Sequence, residues 1–225
     1  MGMVFGKTGV AEPAFEVLLN RAETSCLFPY ELRKYGQRFA IETEYKISDG
    51  TGDAFMRLAG YIGVTSSPQN TGKASIAMTA PVVTEKGTAI AMTAPVVTAD
   101  VQSSTETKKM QFILPAEYDE LSKIPQPTNS AVSVVVVPPS IGAVHRFSGW
   151  VNDQKERKQV TNLVQQLKSD GLSIDERDAL EHYLLWQFNP PFTIPSLRRN
   201  EIWLQLSDEQ VEFLLNKFKD TVAHN

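Results

Sequence analysis

The sequence predicts an α+β fold built on a mainly antiparallel sheet or barrel, and three observations carry that prediction. Short alternating apolar runs gather in groups, amphipathic helical stretches separate those groups, and the order of elements is similar in the two halves of the chain. Segregated strands and helices argue against a doubly wound parallel sheet, in which the two alternate throughout. The repeated order points to an internal structural duplication that the residues themselves no longer display. With 225 residues, 42% of them apolar and 21% charged, the chain suits one domain whose core needs neither disulfide nor structural metal.

The first strands are read over 15–19, 29–35 and 38–45. In the third, Phe39, Ile41, Thr43 and Tyr45 face one way and Arg38, Glu42 and Glu44 the other, the period of two that a half-buried strand requires. The turn-rich run Ser48 to Gly52 leads into a short helix that Thr51 or Asp53 can cap. Its core stripe is Phe55, Leu58, Ala59 and Ile62. A second face carries Met56, Gly60 and Gly63. Glycine inside a helix costs about 1 kcal/mol against alanine, so Gly60 implies that something approaches the backbone closely.

The nonapeptide Ile76 to Thr84 recurs letter for letter as Ile90 to Thr98. Each copy reads as a strand with its proline at an edge or bulge, and Glu85-Lys86-Gly87 turns between them. Either one copy occupies the core while the other extends a surface hairpin, or the two form separate ligand-contacting loops. Ala99 to Lys109 reads as a loop and Met110 to Leu114 as a strand. Pro115 to Pro127 is irregular, with at most one helical turn. Val132 to Val137 and Ala143 to Trp150 are the next strands.

A helix opens at Asn152-Asp153, with Glu156 placed to reach back to its N-terminus, and Gly171 closes it. Val160, Leu163, Val164 and Leu167 are its stripe. A further helical turn covers 175–181. Strands follow over 183–188 and 201–206, on either side of Asn189-Pro190-Pro191. Ser207 to Gln210 is a capping box that opens a last helix, with Val211, Leu214, Leu215 and Phe218 on one face.

Catalytic and metal motifs are sparse. There is no G-x-S-x-G elbow, no H-E-x-x-H, and no glycine loop of the Walker or dinucleotide kind. His145 and His182 are the candidate iron ligands, each also readable as a structural or solvent-facing histidine. Cys26 is the only cysteine, so an intramolecular disulfide is impossible, and a small buried hydrophobe is its bland reading. Arg198-Arg199 is suited to carboxylates through the guanidinium fork, or to an ion pair with Glu201. Twenty-two Lys and Arg against 26 Asp and Glu give a net charge of −4 and no reason to expect nucleic acid. No apolar run approaches the length of a membrane span. The first twenty residues lack a signal or transit composition, and Gly6 stands where myristoylation wants Ser or Thr. A soluble cytoplasmic protein is the expectation.

Several segments together resemble the SOUL family of haem-binding proteins. They are Tyr30 to Tyr35, Phe55 to Gly63, Pro68-Gln69-Asn70, Ile76 to Val82, Met110 to Pro115, Phe147-Ser148-Gly149, Asn189 to Phe192 and Arg198 to Trp203. The opening Gly2 to Lys7 and the doubled segment resemble cytosolic members from plants and green algae. The resemblance implies a distorted antiparallel β-barrel from two similar halves, each with a packed helix. On this reading 1–206 is the haem-binding domain and 207–225 a C-terminal helical extension that packs on the barrel, covers a groove or mediates a dimer. It further implies reversible, non-covalent capture of haem or another tetrapyrrole in a shallow apolar groove, with a carrier or buffer role and a haem-metabolism protein as a possible partner. Carried onto this chain, the ligand-binding residues are Met56, Arg57, Gly60 and Tyr61, facing Pro191, Phe192, Arg198 and Arg199. Phe192 stands where the family more often has tryptophan, and a histidine proposed as the iron ligand in one branch has no counterpart here. The rival expectation is an enzyme acting on a small molecule, with Glu31, Glu42, Tyr61 or His145 as acid–base groups.

Overall fold

A computed structural model describes residues 10–21, 26–65, 67–86, 107–190 and 192–219. The strands are β1 (Phe15–Asn20), β2 (Glu31–Tyr35), β3 (Arg38–Lys46), β4 (Val82–Lys86), β5 (Thr107–Ile113), β6 (Ser133–Val137), β7 (Ser140–Phe147), β8 (Leu184–Gln187) and β9 (Asn200–Gln205). The helices are α1 (Gly52–Ile62), α2 (Asp153–Ser169), α3 (Glu176–His182) and α4 (Asp208–Lys217). One antiparallel sheet joins all nine strands in the order β1-β2-β7-β9-β8-β4-β5-β3-β6.

That order contains the expected duplication. The chain runs β2-β3-α1-β4-β5 and then β6-β7-α2-β8-β9, with α3 inserted before β8. Exchanging each element for its counterpart reverses the sheet order from β2 to β6 onto itself. An approximate two-fold axis therefore passes between β4 and β8, and β1 is an addition at one edge.

Three clusters of buried side chains follow from strand alternation. On the outer face, Phe39, Ile41 and Tyr45 of β3 pack with Met110 and Phe112 of β5 beneath Leu58, Ala59 and Ile62 of α1. On the same face of the other half, Ala143, Leu185, Ile202 and Leu204 lie under Val160, Leu163, Val164 and Leu167 of α2, with Val211 and Leu214 of α4 added. The sheet curls around the third cluster, where Tyr35, Ala40, Val83, Ile113, Val144, Trp186 and Trp203 meet from both halves. Trp186 and Trp203 stack at 5.2 Å with Tyr35 edge-on to both, and this aromatic wedge fills the middle of the concave face.

The helix ends follow local chemistry. Gly63 terminates α1 at φ 82, with its N–H on the Ala59 and Gly60 carbonyls, a left-handed cap that glycine adopts without steric cost. Thr51 holds the N-cap position of α1 but makes no side-chain capping bond. Asn152 caps α2 by accepting the Lys155 N–H, and both hydrogen bonds of the Ser207–Gln210 capping box are formed. Glu156 does not reach back to the N-terminus of its helix. It is buried, where it accepts the Tyr183 hydroxyl at 2.6 Å and pairs with Lys108 at 3.3 Å.

Two strand boundaries also differ from expectation. β5 begins at Thr107, within the polar stretch read as loop, because Lys108 finds Glu156 on the outer face and Lys109 finds Glu42 on the inner one. β7 begins at Ser140 and ends at Phe147, so Ser148 to Trp150 form a turn. Gly142 belongs to that strand because the Trp203 ring lies on it: a Cβ there would meet Trp203 and the Leu204 carbonyl at 2.6 Å. The first copy of the repeated nonapeptide ends as β4 after a cis Ala80–Pro81 bond. The second copy, most of the expected 99–109 loop and Pro191 lie outside the described residues. No helix among the described residues is long and apolar enough to cross a membrane.

Candidate functional site

With the aromatic wedge occupying its middle, the concave face leaves open space toward its ends. The larger cleft, about 610 Å³, lies where β2 and β7 meet the loop before β9. Glu31, Arg33, Val144 and Arg146 reach it because they share the inner face with Tyr35 and Val144 of the aromatic cluster. Pro29, Phe147, Ser148, Leu197 and Arg198 close its rim. Its volume lies in the ~300–1,000 Å³ range of small-molecule pockets.

Charge on the cleft wall is set by a buried network. Glu201 is fully buried and accepts from Arg33 at 2.8 and 3.3 Å and from Arg199 at 2.8 Å. Arg33 also donates to Glu31 at 2.6 Å, and Arg199 to Glu12 at 2.9 and 3.0 Å. Burial works against the Arg33 cation, but the attraction of Glu201 outweighs it and raises the guanidinium pKa further. Burial pushes the neighbouring Tyr35 hydroxyl up to about 12, with Arg33 opposing. These arginines are engaged by carboxylates of the chain itself. Arg146, at the same wall, makes no hydrogen bond or ion pair among the described residues.

The rim is apolar and exposed. Phe192, Ile194 and Leu197 of the loop between β8 and β9 are 63, 40 and 44% exposed, and Trp150 of the facing turn is 61% exposed. The two segments are tied together: Gly149 N–H donates to the Pro195 carbonyl at 2.8 Å, and the Asn200 side chain donates to the Gly149 carbonyl at 3.0 Å. Arg198 lies over the Trp150 ring at 3.7 Å and donates through Nε to the Thr193 carbonyl at 3.0 Å. Burial lowers the pKa of its guanidinium. The result is an aromatic ledge with a cationic edge beside the cleft.

Of the residues expected at the site, Arg198 lines this cleft, Phe192 is exposed in the loop before β9, and Arg199 is held in the Glu201–Glu12 network. The α1 residues sit elsewhere, against β3 and β5, and none of them lines this cleft. Met56 is exposed. Arg57 turns back to β3, donating to the Thr43 hydroxyl at 3.0 Å and the Glu44 carbonyl at 2.9 Å. The close approach implied by Gly60 comes from the chain: a Cβ there would stand 3.2 Å from the Gln69 side chain, and Gln69 N–H donates to the Gly60 carbonyl. Tyr61 is buried, its hydroxyl donating to the Pro125 carbonyl at 2.7 Å.

His145 lies on the outer face, with both ring nitrogens engaged, Nδ1 at 2.7 Å from the Pro29 carbonyl and Nε2 at 3.0 Å from Gln159 Oε1. His182 is exposed and meets Asp178. Cys26 Sγ meets the Arg21 carbonyl. Glu42 pairs with Lys109 at 3.1 Å and accepts from Gln111 at 2.7 Å, on the half of the sheet opposite Glu31. Among the described residues no group of three His, Cys, Asp or Glu side chains could hold a metal ion. Reading from sequence alone overlooked Arg33, Arg146, Trp150 and Leu197. For Arg33 and Arg146 the signal was present in strand alternation, which puts them beside Tyr35 and Val144. For Trp150 there was none, because its value depends on a loop more than forty residues away.

The class of protein defined here is a two-half curled antiparallel sheet with a helix over each half and an inner cleft of small-molecule size. The family model of the SOUL heme-binding protein matches residues 10–88 and 84–205, nearly the whole described chain, and the chain belongs to that family. The two matched regions overlap over 84–88, from the last residue of the first nonapeptide copy into the segment between the copies. Among solved structures, the crystal structure of the EcmrR C-terminal domain aligns at TM-score 0.51 and 11% identity, covering 80% of this chain and 98% of that one. That likeness concerns the fold. A putative transcription regulation protein from Staphylococcus aureus MU50 aligns at TM-score 0.39, with 11% identity over 78% of this chain and 96% of its own. SAV2435, solved bound to tetraphenylphosphonium, aligns at 0.40, with 10% identity over 81% and 96%. Comparison with curated proteins gives no match.

Family membership makes haem, held non-covalently, the ligand to test against this geometry. The cleft fits in kind: apolar and aromatic surface for the macrocycle and, for a propionate, an arginine without a partner among the described residues. Among the described residues no histidine, cysteine or methionine lines it.

Proposed function

We propose that this protein binds haem or a related tetrapyrrole reversibly, as a carrier or buffer, on the ledge and cleft formed by β2, β7 and the loop before β9. The supporting observation is Arg146, a cation with no partner among the described residues, on the wall of a 610 Å³ cleft flanked by Leu197, Phe147 and the Trp150–Arg198 stack. A haem offers a flat apolar disc and two propionates. The disc suits Trp150, Phe192 and Leu197, and the propionates suit Arg146 and Arg198, because carboxylate–guanidinium bonds are the strong, directional kind. Binding rests on contact and charge, so iron is dispensable. Because the ledge is open, only part of the disc is buried and affinity is moderate, as a carrier requires.

Hemin and metal-free protoporphyrin are titrated separately and followed by the Soret band and by tryptophan quenching. Both saturate at one per chain with affinities within about tenfold. Arg146→Glu combined with Leu197→Asp weakens both by at least tenfold, whereas Met56→Asp and Arg57→Glu on α1 change neither. If the α1 variants lose binding and the cleft variant keeps it, the ligand lies on α1 and the assignment to the cleft is wrong. The carrier role predicts complete transfer of hemin to an apo-globin acceptor at a rate independent of acceptor concentration; retention of hemin would refute it.

A further inference from the structure

A second cleft, about 480 Å³, opens where β2 turns into β3, between that turn, the segment 11–14 and the segment 113–119. It shares no lining residue with the first. Its walls are largely apolar, with Phe39, Ile113, Leu114, Pro115 and Tyr118 among them, and it contains three charged side chains. Two are already neutralised: Glu12 by Arg199 at 2.9 Å, and Asp119 by Lys123 at 2.6 Å. The third is Arg38.

Among the described residues Arg38 has no carboxylate partner. Its guanidinium lies over the Tyr35 ring at 4.5 Å, one Nη reaches the Ser140 hydroxyl at the long distance of 3.5 Å, and Nε is sealed from solvent with no acceptor. The remaining Nη makes no hydrogen bond among the described residues. A cation taken out of water without a counter-ion is costly, and cations so placed are ordinarily paired. Two other arginines of the concave face are paired, Arg33 with Glu31 and Glu201 and Arg199 with Glu12 and Glu201, while Arg146, without a carboxylate among the described residues, is exposed to water. Arg38, without a carboxylate among the described residues, stands next to an apolar cavity.

We infer that this cleft is a second ligand site, selective for an amphipathic monocarboxylate whose anion pairs with Arg38 and whose apolar body lies along Phe39, Leu114 and Pro115. The complementarity follows from the wall. One unpaired cation asks for one anion, and the apolar lining rejects a second charge. A neutral ligand of the same shape gains the apolar contacts but leaves the guanidinium bare.

The test uses the whole chain with decanoate and decan-1-ol as probes, by calorimetry and by amide chemical shifts. Decanoate binds one per chain and shifts amides of 36–39 and 113–119, decanol binds at least tenfold more weakly, and Arg38→Gln removes that preference. Ala116→Phe, which fills the cleft without touching Arg38, abolishes decanoate binding and keeps the inference testable should Arg38→Gln fold poorly. Hemin titration is unchanged in both variants, which separates this site from the first. Equal affinity for acid and alcohol, no decanoate binding at millimolar concentration, or displacement of decanoate by equimolar hemin would each overturn the inference.

Discussion

Glu201→Gln perturbs the centre of the ion network while changing a single atom. Glu201 is fully buried and receives three donors from two guanidiniums, at 2.8, 2.8 and 3.3 Å. Removing one partner of a buried ion pair costs about 3–5 kcal/mol, mostly because the other charge is left uncompensated. Here Arg33 retains Glu31, which is part-exposed, and Arg199 retains Glu12. Those residual partners place the expected loss at the lower end, about 3 kcal/mol. Urea unfolding should show it as a lower midpoint at unchanged slope. In a double-mutant cycle with Arg33→Met, the combined loss should fall well below the sum, since the second change removes the charge that the first strands. Hemin affinity should hold or rise, because Arg33 then brings unbalanced positive charge to the cleft wall. A loss below about 1 kcal/mol, the worth of an exposed pair, would refute the reasoning.

Gly142→Ala should destabilise by about 1–3 kcal/mol, as overpacking does, because its Cβ has only the Trp203 ring and the Leu204 carbonyl to move; thermal unfolding and the near-ultraviolet tryptophan signal measure it. Tyr61→Phe deletes the bond to the Pro125 carbonyl and should cost about 1 kcal/mol in urea unfolding with no change in hemin affinity. All six tyrosines have raised hydroxyl pKa values, with burial the first cause in each, Tyr35, Tyr45 and Tyr61 to about 12. The unfolded chain ionises near 10, so stability present below pH 10 should decline as pH rises toward 12. Phenolate absorbance should then rise in step with unfolding rather than ahead of it.

The fold was legible where apolar period and capping chemistry acted alone. The alternation of β3, the stripes of α1 and α2 and the Ser207 box needed no tertiary information. Legibility failed where charge was used inside the fold. Thr107 to Lys109 looked like loop because two adjacent lysines rarely enter a strand, and only the glutamates awaiting them on opposite faces make β5 possible. Glu156 looked like a capping residue for the same reason. At the site, the arginine pair was readable as a carboxylate binder, but sequence could not distribute its members. Glu12 and Glu201 claim Arg199, while Arg198 turns to Trp150. Gly60 was correctly read as a close approach, but the partner is Gln69, nine residues on and past the end of α1, a contact no helical pattern encodes.

The duplicated backbone and its unduplicated charges explain why one half of the sheet is suited to an anion. By strand alternation the inner face of the first half carries Glu42, Glu44 and Glu85, with Lys109 between them on β5. Burial first, and then the nearby charge of Glu42, raises the Glu85 carboxyl pKa against the pull of Lys109. The corresponding face of the second half carries Arg33, Arg146 and Arg199 around Glu201. On the first half Glu42, Glu44 and Glu85 share the inner face with Lys109 and Arg38; on the second Arg33, Arg146 and Arg199 meet Glu201, Glu31 and Glu12, which pair with Arg33 and Arg199 and leave Arg146 without a carboxylate among the described residues. Two-fold topology gives both halves a concave surface, and the proposed anion site lies on the one where an arginine is left over.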